Sequence, residues 1–291
     1  MKKKKTYRLL IQAAAAVFQN GYVAGFFGGT IFKGQTKVLC VPGLNCYSCP
    51  GALFSCPIGA LQAALGGGTH VSLYVLGLIM LFGVILGRLV CGFLCAFGLI
   101  QDLLYKIPTK KFELPAKADK ILRYLKYVFL VTTVILMPMF LVNQFGIAPP
   151  YFCKYICPAG MLEGGIPLVA SNPTLSMMIG FLFWWKVGLM ALTLLSSIFI
   201  YRPFCKYVCP LGAAYGLFNR FGFFKMRVNK SKCVSCGRCE RACKMRVPVL
   251  TDINSTECIR CGDCYRVCPV GAIERGFRLT PEGPVKNDIK I

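Results

Sequence analysis

The chain has a single histidine, His70, among its 291 residues. A membrane b-type haem usually needs two axial ligands, which are often histidines, so a haem is not expected. No P-loop, dinucleotide fingerprint or nucleophile constellation occurs, which argues against nucleotide-binding and nucleophilic enzymes. Acidic residues are also scarce, with 11 Asp and Glu against 34 Lys and Arg. The chemistry of the chain must therefore rest on other residues.

Cysteine is abundant, with 18 residues, and eight of these form two runs of the pattern Cys-x2-Cys-x2-Cys-x3-Cys. This spacing is typical of bacterial ferredoxins with two [4Fe-4S] clusters, in which the fourth thiolate of each run reaches the other cluster. Zinc ribbons use paired two-Cys knuckles, so this spacing argues against zinc sites. The predicted ligands are Cys233, Cys236, Cys239 and Cys268 for cluster 1, and Cys258, Cys261, Cys264 and Cys243 for cluster 2.

Hydrophobic residues make up 56% of the chain, and the mean hydropathy of +0.59 is too high for a soluble domain of this length. A helix needs about 20 residues to cross a hydrocarbon layer of ~30 Å. Four apolar stretches meet or approach this length: Arg8–Phe32, Val71–Val90, Leu122–Ile147 and Leu175–Tyr201. The sequence predicts a mainly α, integral membrane protein. Residues 1–225 form a four-helix transmembrane bundle, and residues 226–291 form a small α+β ferredoxin-like domain of the βαββαβ type.

The net charge of +23 indicates the orientation. Basic residues precede the first predicted span, surround the second loop and follow the fourth span. By the positive-inside rule, both termini and the ferredoxin domain are cytoplasmic, in the plasma membrane of a prokaryote. Lipid contact and orientation account for this charge, so nucleic acid is not an expected partner. The basic start also fits a secretory signal, but no clear cleavage site follows, which favours an uncleaved span.

The other ten cysteines lie in or near four units of the form Cys-x2-Gly followed by apolar residues, which begin at Cys56, Cys95, Cys157 and Cys209. Topology places two units at each membrane face, which gives one cubane's set of thiolates per face. The predicted inner cluster is held by Cys91, Cys95, Cys205 and Cys209. The predicted outer cluster is held by Cys49, Cys56, Cys153 and Cys157, with Cys46 or Cys40 as alternative ligands. Two clusters on opposite sides of a ~30 Å core would be poorly coupled, so the loops must dip inward.

Lys186 falls within the fourth predicted span. A charge inside a membrane is costly and is a functional candidate by default. It is expected either to balance the charge of a cluster or to contact a quinone, and the alternative is that it snorkels to the interface.

The Cys-x3-Cys-Pro units, the basic loops and the carboxy-terminal double run together resemble the NapH/NosR group of membrane polyferredoxins. That resemblance implies electron transfer between cytoplasmic or quinol donors and partner oxidoreductases. The sequence departs from the group in its extra outer cysteines and in Ala96, which stands where a Pro would follow Cys95. It also shows no large extracytoplasmic flavin-binding domain. The extra cysteines favour a conduit that reaches the outer face.

We therefore expect a membrane electron-transfer protein with two to four [4Fe-4S] clusters. Its expected partners are an acidic cytoplasmic carrier, such as ferredoxin or flavodoxin, and an outer-face redox protein. Two other functions stay open: a quinol dehydrogenase subunit that passes electrons to a partner oxidoreductase, and a redox-sensing membrane regulator.

Overall fold

The computed structural model of the protein describes residues 7–67, 73–144 and 147–277. His70 and the basic residues at positions 2–5 lie outside this part of the chain. The described residues are mainly helical. The helices before the ferredoxin module are α1 Arg8–Gln19, α2 Ala24–Gly28, α3 Pro57–Gly66, α4 Leu73–Leu86, α5 Leu89–Phe93, α6 Ala96–Leu104, α7 Ala116–Phe140, α8 Tyr151–Tyr155, α9 Pro158–Gly160 with its continuations Met161–Gly165 and Ile166–Ser171, α10 Pro173–Met177, α11 Phe181–Phe199, α12 Pro203–Tyr207 and α13 Pro210–Phe218.

Two of the described helices are long and apolar enough to cross a membrane, α7 with 25 residues and α11 with 19. The other two predicted spans are shorter helices, because α1 has 12 residues and α4 has 14 within the described part of the chain. Helix α4 ends at Leu86, and the next residue, Gly87, has a φ of +54° in the left-handed region. The prediction of four full-length spans is therefore supported for the third and fourth segments only.

The ferredoxin module follows the helical part and begins at Phe224. Its described residues form β1 Phe224–Val228, α14 Arg238–Arg241, α15 Asp263–Val267 and β2 Ile273–Phe277. The two strands pair antiparallel, with Phe224 opposite Phe277 and Val228 opposite Ile273. The prediction of a four-stranded βαββαβ module was wrong for the described residues, which contain one two-stranded sheet. Each cysteine run occupies loop and short helix, because closely spaced thiols must turn toward one point.

The module packs directly on the helical part. One apolar core contains the four inner cysteines together with Met245, Val247 and Ile259 of the module. The backbone contact is close at Gly92, where an added Cβ would lie 2.5 Å from the carbonyl oxygen of Ile259. A side chain at this position would therefore push the loop that carries Cys258 and Cys261 away from helix α5.

A buried polar network joins the same two parts. The guanidinium of Arg88 contacts the carboxylate of Glu257 at 3.1 Å and donates to the carbonyl of Thr256 at 2.8 Å. Lys126 forms a second ion pair with Glu257. Arg260 reaches back from the module to the carbonyl of Leu86 at 2.7 Å. These buried charges fix the module in one orientation on the helices.

The Glu257→Gln substitution tests this junction. It leaves the buried side chains of Arg88 and Lys126 without their carboxylate, a change that typically costs about 3–5 kcal/mol. We expect that loss in the free energy of unfolding, measured by urea titration with circular dichroism. The matched control is Asp252→Asn on the exposed surface of the module, which should change stability by about 0.5 kcal/mol or less. Equal unfolding midpoints for the two variants would contradict the structural role of the junction.

Candidate metal centres

Two cavities lie in the ferredoxin module, and four cysteines line each. The first is lined by Cys233, Cys236, Cys239 and Cys268. The second is lined by Cys243, Cys258, Cys261 and Cys264. We name these groups module set 1 and module set 2. Each cavity therefore gathers three cysteines of one run and the fourth of the other, in the grouping that the sequence predicts.

The thiols of module set 2 are held in an apolar environment. Burial, with repulsion from Asp263, raises the pKa of Cys261 to about 12. Burial, with repulsion from Cys261 and Cys258, also raises the pKa of Cys264. Thiolates in such a place require compensating positive charge, which bound iron provides. The donor set of four thiols around each cavity thus fits a multi-iron cluster.

The structure also brings together the four cysteines predicted for the inner cluster, which we name the inner set: Cys91, Cys95, Cys205 and Cys209. All four are buried. Burial, followed by repulsion from Cys205, Cys91 and Cys95, raises the pKa of Cys209 well above its usual range. Cys95 and Cys209 each cap a helix, since their sulfurs accept hydrogen bonds from the amides of Gly98 at 3.3 Å and Gly212 at 3.4 Å. The helix starts thus present amide hydrogens to sulfur.

Two buried arginines bracket the inner set with reciprocal contacts. Arg88 precedes Cys91 by three positions and donates to the carbonyl of Cys205 at 3.0 Å. Arg202 precedes Cys205 by three positions and donates to the carbonyl of Cys91 at 2.5 Å. Both side chains are fully buried. The two Arg-x2-Cys-x3-Cys segments therefore exchange equivalent contacts, as a pseudo-twofold arrangement requires.

Each arginine also has its own carboxylate. Arg202 makes a two-pronged ion pair with Asp102, at 2.8 Å and 2.6 Å, and Arg8 pairs with the same carboxylate. These cations hold the pKa of Asp102 below its usual value against the opposing effect of burial. The sequence analysis missed both arginines and Asp102. The repeated Arg-x2-Cys-x3-Cys pattern was the signal that could have found the arginines.

The outer thiols group differently from the leading sequence prediction. The ionisation of Cys157 is opposed by charge repulsion from Cys153, Cys46 and Cys56. The ionisation of Cys46 is likewise opposed by Cys56 and Cys153. These four cysteines therefore lie together. The thiol of Cys49 instead points to Asn20, with its sulfur 3.5 Å from Oδ1. We name Cys46, Cys56, Cys153 and Cys157 the outer set. It contains Cys46, one of the two predicted alternatives.

Reciprocal contacts again support this grouping. A Cβ built on Gly59 would lie 3.8 Å from the sulfur of Cys153, and one built on Gly160 would lie 3.7 Å from the sulfur of Cys46. Each unit glycine thus faces the sulfur that the partner segment contributes. Cys40 is buried beside Cys56 and makes no such reciprocal contact among the described residues.

A further regularity concerns the residue six positions after each unit cysteine. Gln101 follows Cys95 and donates to the sulfur of Cys205 at 3.1 Å, whereas Gln62 follows Cys56 and donates to the sulfur of Cys153 at 3.3 Å. In the other two units this position holds Glu163, which accepts from the amide of Cys46 at 2.7 Å, and Tyr215, which donates to the carbonyl of Pro42 at 2.9 Å. Three of the units therefore reach their partner segment at this position, whereas Tyr215 reaches the segment that begins at Pro42.

The segment from Pro42 to Cys46 lies between the inner and outer sets. A Cβ built on Gly43 would lie 3.1 Å from the Cα of Cys95, so this segment packs directly on the inner set. The amides of Leu44 and Asn45, which follow, lie near the sulfurs of Cys95 and Cys56 respectively. The inner and outer sets are therefore neighbours in the fold, and a separation of ~30 Å does not apply to these thiols.

Unpartnered polar atoms accompany the outer set. The Asn45 side chain is fully buried, and neither its oxygen nor its nitrogen has a hydrogen-bond partner within the described chain. One carboxylate oxygen of Glu163 is likewise unpartnered there. Buried polar atoms normally have partners. The outer set and the side chains of Asn45 and Glu163 therefore line a site that suits a polar group.

Lys186 lies near the outer set. Its ammonium nitrogen would lie 4.0 Å from a Cβ built on Gly160, and its charge interacts favourably with Cys153. Helix α11 begins at Phe181, so Lys186 is in the second turn and not at the middle of the span. Its position agrees with a role as a charge partner.

All eighteen cysteines fall within the described residues, and all are free thiols. Across the described ranges, no three Cys, His, Asp or Glu side chains converge closely enough to hold a single metal ion.

Comparison with known families identifies 4Fe-4S binding domains in both parts of the chain. One such family matches residues 68–115, 128–166 and 175–231, which include the inner set. A second matches residues 226–248 and 251–274, which correspond to the two cysteine runs. No solved structure matches the chain.

Several curated proteins are similar to this chain. An uncharacterised protein of Methanocaldococcus jannaschii is 31% identical over 58% of the chain and 56% of its own length. YccM of Escherichia coli K12, described provisionally as an electron transport protein, is 28% identical over 58% of the chain and 45% of its own length. The methylamine utilization ferredoxin-type protein MauN of Paracoccus denitrificans is 28% identical over 79% of the chain and 72% of its own length.

The match to the first of these relatives spans little more than half of its length. Both matching families are described as 4Fe-4S binding domains, and MauN is described as a ferredoxin-type protein. The chain belongs to the 4Fe-4S ferredoxin-type proteins of the NapH/NosR type.

Proposed function

We propose that this protein is a membrane electron conduit with four [4Fe-4S] clusters. Module set 1, module set 2, the inner set and the outer set would each hold one cluster. A bound cluster supplies a one-electron carrier whose potential is set by charge, hydrogen bonds and burial. The remaining work falls to the protein, which must place the four sets next to one another and tune them.

The observation that carries this proposal is the continuity of the four sets. The two module sets share a small core around Met226 and Ile253. Module set 2 meets the inner set through Ile259, which follows Cys258 and touches helix α5 at Gly92 beside Cys91. The inner and outer sets are joined by the segment Gly43–Asn45, which packs on Cys95 at Gly43, and Leu44 shares one apolar core with Cys56 and Cys95. No gap comparable to the membrane thickness separates neighbouring sets.

The surrounding charges support a difference between the two helical sets. Arg88 and Arg202 flank the inner set and stabilise its reduced, more negative state. The outer set has Lys186 nearby, but it also has the buried carboxyl group of Glu163. The inner site is therefore expected to have the higher reduction potential.

We further propose that the conduit lies in a plasma membrane with its ferredoxin module in the cytoplasm. The helices α7 and α11 and the distribution of Lys and Arg support this arrangement. An acidic carrier would meet the module, and a second redox protein would meet the outer loops. Lys186 is assigned as a charge partner of the outer set, because it lies beside those thiols.

Iron content tests the number of clusters. Anaerobically purified protein should contain about sixteen irons and as many acid-labile sulfides per chain, since each cubane holds four of each. Colorimetric iron and sulfide assays with amino-acid quantification measure this. A content of about eight irons would confine the clusters to the module and would contradict the conduit.

Paired substitutions test the ligands of the outer set. Cys46→Ala should remove about four irons per chain, because it takes one thiolate from that set. Cys49→Ala is the matched control and should keep the full iron content, because its thiol points to Asn20. The reverse result would assign Cys49 as the ligand.

The Gln101→Leu substitution tests the hydrogen bond to Cys205. A hydrogen bond to a charged acceptor contributes on the order of 1.5 kcal/mol, and a difference of about 1 kcal/mol between redox states equals roughly 40 mV for one electron. We expect the potential of the inner site to fall by about that amount in an EPR-monitored redox titration. Gln144→Leu, at an exposed position, should cause no change. An unshifted inner potential in the Gln101 variant would exclude this tuning role.

A further inference from the structure

Of the eight module cysteines, only Cys236 is exposed on the surface. It belongs to module set 1. The cysteines of module set 2 are all buried or partly buried, and that set packs against the helices. Electron exchange with a soluble protein requires close approach of the two redox centres, so module set 1 is the accessible end of the chain of sites.

The surface around Cys236 combines an apolar centre with a basic rim. Val234 is 63% exposed and Val270 is 44% exposed, and both line the cavity of module set 1. The rim consists of four exposed cations: Lys230, Lys232, Arg238 and Arg241. We name these residues together with Cys236 the set 1 face. Exposed apolar side chains within a charged rim are typical of protein interaction sites.

The rim cations are not neutralised by the acidic side chains of the described residues. Residues 230–241 contain one acidic residue, Glu240, whose side chain accepts a hydrogen bond from the amide of Leu250. In the part of the chain that the structure describes, no ion pair joins a rim cation to an acidic side chain. Arg241 instead donates to the carbonyl of Cys236 at 3.1 Å, which steadies the exposed loop.

We propose that the set 1 face is the docking site for a small acidic one-electron carrier protein. Its partner would present carboxylates around an apolar patch near its own redox centre. Opposite charge steers such an encounter and raises the association rate, whereas the apolar centre excludes water. This inference rests on the proposed electron-transfer function and adds the place where electrons are exchanged with a soluble partner.

The test compares two double variants of the full-length protein with the same change in net charge. Lys232→Glu with Arg238→Glu reverses the rim, whereas Lys110→Glu with Lys120→Glu reverses two exposed lysines outside the module. The probe is an oxidised, acidic [2Fe-2S] ferredoxin, and its affinity is measured by titration calorimetry at low salt. No electron moves in this assay, so its result is independent of the conduit.

The rim variant should bind the probe at least tenfold more weakly, whereas the control variant should change the affinity less than twofold. The rate of cluster reduction by the reduced probe should fall in parallel, but the rate with dithionite should not. Equal losses in both variants, or unchanged affinity in the rim variant, would overturn the inference. So would loss of binding to phosphatidylserine vesicles with probe affinity retained, because the face would then be a lipid surface.

A second variant guards against damage to the site. Val234→Asp places a carboxylate at the centre of the set 1 face and should weaken probe binding by a similar factor. Iron content shows whether either variant has lost cluster 1. A Val234→Asp protein with full iron content and unchanged affinity would also overturn the inference.

Discussion

Four thiols gathered in an apolar core cannot ionise together without compensation, and this constraint organises the helical part of the protein. Burial and mutual repulsion raise the pKa of Cys209 well above its usual range. Compensation comes from amide hydrogens at helix starts, from glutamine donors and from two buried arginines. Each of these groups favours negative charge on sulfur. Bound iron would complete this compensation. The helical fold holds the four thiols and their compensating groups in place for it.

One of these compensating groups also joins the two parts of the chain. Arg88 contacts Cys205 on one side and Glu257 of the module on the other. A single side chain therefore stabilises the inner set and anchors the module above it. The loop that carries Cys258 is held against helix α5 as a consequence. The contacts that hold the module on the helices therefore also place module set 2 next to the inner set.

The sequence predicted which cysteines lie together better than it predicted the helices that carry them. The spacing of the cysteine runs predicted both groupings in the module, since that pattern allows few other arrangements. The inner grouping followed from the repeated Cys-x3-Cys units. The short helices α1 and α4 could not be predicted, because hydropathy does not show where a helix breaks to let a loop re-enter. The positions of Cys46 and Cys49 needed the fold, since the sequence does not show that Cys46 lies against Gly160 whereas Cys49 points to Asn20.

The measurement that tests the account most directly is the EPR spectrum of the fully reduced, full-length protein, compared with that of Cys205→Ala. Neighbouring reduced clusters broaden each other's signals, so we predict a broadened spectrum in the intact protein. A component of that spectrum should disappear when the inner set loses a thiolate. Identical spectra from the two proteins, both showing only a two-cluster ferredoxin signal, would contradict the claim that the helical cysteines hold clusters.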